Sequence, residues 1–70
     1  MSEEGEKAVS FLYLQIWLHA KAGLLTMHPL LATQIEWANK QFHFDRFLEA
    51  KPNAVAEIKQ QYKSLASMHQ

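Results

Sequence analysis

The chain has no cysteine. Disulfides are thereby excluded, and with them thiolate zinc sites and cysteine nucleophiles. A cysteine-free chain fits a cytoplasmic location. Glycine occurs only at Gly5 and Gly23, and no Asn-Gly or Asp-Gly pair marks a hairpin. There is no glycine loop to cradle a phosphate and no Gly-x-Ser-x-Gly elbow. Net charge is missing too: seven Lys and Arg balance seven Asp and Glu. A neutral chain makes a poor footprint for nucleic acid, where phosphate neutralisation supplies most of the affinity, and it has no drive toward an anionic membrane. The longest apolar stretch, Ala8 to Ala20, is thirteen residues. A bilayer needs about 20, and extending the stretch to Leu31 would put Lys21 near its centre. Its lead-in holds Glu3, Glu4 and Glu6, the wrong sign for a signal peptide.

What is present is apolar side chain. Of 70 residues, 49% are hydrophobic and 20% charged, so composition does not favour disorder. The length allows one domain, 1–70, with an acidic N-terminus frayed over 1–4. A chain this short buries about 60% of its unfolded surface and usually needs a disulfide, a metal or a partner chain. A partner chain is what remains, and a homodimer is expected.

Pro29 and Pro52 divide the chain into three parts. Proline suits a first helical turn and pushes the preceding residue out of helical angles. Helices are expected over about 4–27, 29–50 and 53–69, giving an all-α three-helix domain with segment one at the centre, as an intertwined or side-by-side homodimer. In segment one, Val9, Leu12, Ile16 and Ala20 share one face and Phe11, Leu14, Leu18 and Leu25 another, with Tyr13, Trp17 and Leu24 between. A helix apolar nearly all round is buried. Segment two carries two stripes, Leu31-Ile35-Ala38-Phe42 and Leu30-Trp37-Phe44-Phe47-Leu48, and two stripes suggest two packing partners. Segment three has one seam of heptad type, Val55-Ile58-Tyr62-Leu65, too short for an independent coiled coil. The fourfold match of Leu12, Gln15, Ile16 and Lys21 with Leu31, Gln34, Ile35 and Lys40 is no more than helices commonly share, and signals no repeat.

Chemistry-bearing patterns are sparse. His19, His28, His43 and His69 have no histidine partner three or four residues away, so no metal site is expected. Asp45 and Glu49 could share a helix face, but Arg46 lies between them and a solvated face accounts for all three. Ser10, Ser64 and Ser67 lack a nearby histidine and acid. Neither catalysis nor a cofactor is expected. Aromatic residues, by contrast, are more than a three-helix core of this size can absorb, and aromatics dominate binding hot spots.

These readings point to a small non-enzymatic regulator, an adaptor or inhibitor that binds another protein and modulates it while itself a homodimer. The size is typical of accessory proteins, including viral or plasmid-borne inhibitors. The expected partner or dimer interface is Tyr13, Trp17, Trp37, Phe44, Phe47 and Leu48. One alternative is a dimeric DNA-binding regulator reading with Lys59, Gln60 and Lys63 of the last helix. The solvated side of an amphipathic helix explains those three as well, and the neutral charge favours that. A second alternative is a small membrane-associated subunit using Ala8–Leu31.

Overall fold

The computed structural model describes residues 3–68. It is all-helical: α1 spans Glu3–Lys21, α2 Pro29–Phe42, α3 Phe44–Ala50 and α4 Ala54–Met68, with no strand among the described residues. Helix α1 packs against both α2 and α4, the central place expected of segment one, and α3 packs against α2. Glu3 and Glu4, expected in a frayed end, already lie in α1. Met1, Ser2 and the expected last helical residue, His69, lie outside the described residues.

Two of the three expected helices are corrected. Helix α1 ends at Lys21, not near Met27. Gly23 takes φ 75, in the left-handed region. Its N–H donates to the Ala20 carbonyl (3.1 Å), and the Leu24 N–H donates to the His19 carbonyl (3.0 Å). This pair of bonds is the Schellman arrangement, which satisfies the last carbonyls of a helix and turns the chain away. Glycine adopts that conformation without a Cβ penalty. Gly23 was therefore the stop signal.

The second correction is larger. Segment two is not one helix over 29–50: His43 sits at φ 57 and ψ 52 and separates α2 from α3. Left-handed geometry is costly for a residue with a Cβ, so something must compensate. The His43 N–H donates to the Asn39 carbonyl at 2.7 Å. The Asn39 side chain then ties across the break: its Nδ2 donates to Asp45 Oδ2 (3.0 Å), and its Oδ1 accepts from the Asp45 N–H (3.1 Å). The packing reason is geometric. On a continuous helix Phe42 and Phe44 would point about 200° apart. Across the break their rings stack with centroids 6.0 Å apart. The break thus turns two stripes toward one core.

The expected junctions at the prolines are present. His28 caps α2, its Nδ1 accepting from the Leu30 N–H at 3.1 Å, with Pro29 in the first turn. Pro52 and Asn53 form the turn before α4. The core that results is small. Trp17, Leu18, Ile35, Ala38 and Phe44 are its buried centre, and Tyr13, Leu14, Leu31, Phe47, Val55 and Ile58 are among the half-buried residues packed on it. Ala38 is wholly buried, which lets α1 and α2 approach closely.

Candidate functional site

The six residues expected at an interface divide. Trp17 and Phe44 are buried inside the chain, with ring centroids 5.7 Å apart. Tyr13, Phe47 and Leu48 are half-buried and pack against that same centre. Trp37 alone among the six is exposed, at 55%. The stripe drawn through Trp37, Phe44 and Phe47 is therefore split, because the break at His43 rotates Phe44 and Phe47 inward while Trp37 stays on the outer face of α2. Lys21 and Lys51 close the edges of the core: their ammonium groups lie over the rings of Trp17 (5.4 Å) and Phe47 (5.6 Å).

Two apolar surfaces lie toward opposite ends of α1. The first joins the N-terminal half of α1 to the C-terminal end of α2. Phe42 stands between two shallow grooves there, one lined by Glu6, Val9, Trp37 and Gln41, the other by Lys7, Ser10, Phe11 and Leu14. Trp37 meets Phe42 edge-on, with centroids 6.4 Å apart, so its indole is held in place although exposed. Leu30, 73% exposed, shares that side of α2 but lies two turns before Trp37, at the start of the helix and outside these grooves. Acidic Glu3 and Glu6 and basic Lys7 rim this end.

The second surface lies at the other end of α1. A groove there is lined by Gln15, Ile16, His19, Leu24, Leu25 and Tyr62. His19 is oriented twice over: its Nδ1 donates to the Gln15 carbonyl at 2.6 Å, and its ring meets Tyr62 edge-on at 5.5 Å. The carbonyl can only accept, so Nδ1 carries a proton. Beyond Tyr62, Leu65 and Met68 continue up α4, and every residue from Lys59 to Met68 is exposed.

Phe11, Leu12, Leu24, Leu25, Leu30, Leu65 and Met68 are exposed apolar residues absent from the sequence-derived interface. Leu24 and Leu25 could have been found from Gly23, since residues just past a helix stop leave the helix face they would otherwise share. Lys59, Gln60 and Lys63 are exposed on α4, as both the DNA-binding and the solvated-face readings require. No group of three His, Asp or Glu side chains placed to hold a metal ion occurs among the described residues. No helix of the described residues is long and apolar enough to cross a membrane. The chain matches no family model, no curated protein and no solved structure.

Proposed function

We propose that this chain is a small non-enzymatic interaction protein, an adaptor or inhibitor that acts in the cytoplasm as a homodimer and modulates another protein by docking on it. One observation carries the reading. Among the described residues, nine large apolar side chains are exposed, against six apolar residues that are fully buried. Single exposed apolar residues are ordinary, whereas contiguous apolar patches mark sites of association. The surface of Phe11, Phe42 and Trp37 is such a patch, and it holds an exposed tryptophan fixed by a neighbouring ring, the kind of side chain that anchors protein interfaces. Its grooves are shallow, a form suited to a helix or loop of another protein more than to an enclosed small molecule.

The test is affinity capture from the native host with the wild-type chain and with Trp37→Ala, read by mass spectrometry, followed by direct titration of the purified candidate. A partner held by the wild type and lost with Trp37→Ala is the expected result. Capture identical for the two chains would remove Trp37 from the interface. Retention on DNA at low salt, lost with Lys59→Ala and Lys63→Ala together, would turn the reading to the DNA-binding alternative.

A further inference from the structure

We infer that the second apolar surface, made of Leu24, Leu25, Tyr62, Leu65 and Met68, receives a second copy of this chain, which leaves the Trp37 end free for the target; the division of labour rests on the interaction reading above. The exposed area is larger than a lone chain should have. The chain exposes 5642 Å². A compact monomer of its mass, 8.1 kDa, should expose about 4,500 Å². The excess, roughly 1,100 Å² by that scaling, is of the size that one partner covers in a standard interface, about 800 Å². The radius of gyration agrees: it is 13.5 Å, where a lone globular domain of this length should reach about 11 Å. The chain is shaped like part of an assembly.

Helix α4 has no buried residue, although its seam is continuous from Val55 to Leu65. Only the first part of the seam, Val55 and Ile58, packs on the chain's own core. Tyr62 reaches only the His19 ring near the end of α1, and beyond it Leu65 is 51% and Met68 80% exposed. This end therefore offers both halves of a contact: a groove, Ile16, Leu24, Leu25 and Tyr62, and a projecting ridge, Leu65 and Met68. A twofold interface needs that pairing, since each surface must meet its own copy.

No Asp, Glu, Lys or Arg occurs between Lys21 and Glu36, and none follows Lys63. A patch of one sign would repel itself across a twofold axis. The side chains of this patch are uncharged, with Lys59 and Lys63 only at its flank on α4, whereas the Trp37 end carries Glu3, Glu6 and Lys7 at its rim.

Sedimentation equilibrium of the full chain tests the inference, with the wild type, Leu65→Glu, Leu25→Glu and Trp37→Ser compared at several concentrations. The expected result is a dimeric wild type and Trp37→Ser, with at least a tenfold weaker dimer for each glutamate variant. Circular dichroism at high dilution shows whether each variant keeps its helices. For a variant that does not, Leu65→Ala takes its place, with a weakened dimer again expected. A monomeric wild type at every concentration overturns the inference, as does a dimer broken by Trp37→Ser but untouched by Leu65→Glu. Either failure leaves target capture by the Trp37 end standing, while a dimeric wild type that captures no target would break the interaction reading alone.

Discussion

Helices α1 and α4 are the first and last of the chain, 19 and 15 residues long, and each carries a run of apolar side chains at helical spacing. They differ in what that run accomplishes. Helix α1 places Trp17 and Leu18 fully inside the core, between α2 on one side and α4 on the other. Helix α4 buries nothing completely, and every residue from Lys59 to Met68 is exposed. Periodicity of side chains is thus a statement about a helix, whereas burial depends on whether a neighbour is long enough to cover it. Helix α1 stops at Lys21 because Gly23 turns the chain, so the later turns of α4 meet no covering helix.

The contrast can be broken or sharpened by substitution. The largest effect should come from the core end. Phe44→Ala removes a ring in contact with both Trp17 and Phe42 and should cost about 3–5 kcal/mol. For a domain of this size that approaches total stability, so urea denaturation should show little or no folded baseline. Ala38→Leu comes next. With no exposed surface at Ala38, added methylenes must separate α1 from α2, at a cost of about 1–3 kcal/mol. A lowered denaturation midpoint with an unchanged slope is expected. Gly23→Ala tests the stop that strands the end of α4. A Cβ there would meet no atom within 4 Å, so the cost is the left-handed backbone alone, about 1–2 kcal/mol. Asn39→Ala removes both side-chain bonds that close the α2–α3 break and should cost about 1 kcal/mol, because both are exposed. If stability did not move, the ring packing of Phe42 and Phe44 would suffice to hold the break. The smallest effect belongs to α4. Leu65→Ala should change the stability of a dilute, lone chain by less than about 0.5 kcal/mol. A larger loss that grows with protein concentration would show that a second copy covers this residue.

The helical character of the chain was legible because it depends on local rules. Pro29 lies in the first turn of α2 and Pro52 in the turn just before α4, acidic residues gather in the first turn of α1, and the Val55–Ile58–Tyr62–Leu65 seam is present on α4. The stop at Gly23 was equally local and readable, but the apolar pattern running on through Leu24 and Leu25 masked it. The break at His43 had a different cause. Histidine is no strong helix breaker, and Glu36 to Ala50 reads smoothly as helix on propensity. The clue was that Phe42 and Phe44 cannot share a face of one helix, so a single core for both requires a bend. Of the expected interface, Trp37 was placed on the surface, while Trp17 and Phe44 went to the core. An apolar side chain has the same character in either place, and only its neighbours decide between them.

By itself the sequence determined an all-helical chain, the starts of α2 and α4, and an apolar content too large for a small interior. Each of these follows from backbone preference, missing turn residues and composition, which act over a few residues. The tertiary structure alone decided that segment two bends at His43, that Trp17, Ile35, Ala38 and Phe44 close one core, and that Trp37 at one end and Leu65 and Met68 at the other stay outside it. The physical reason is coverage. Burying a side chain requires a second element at the right distance, and that distance is set by the meeting of α1, α2 and α4, which no local pattern encodes.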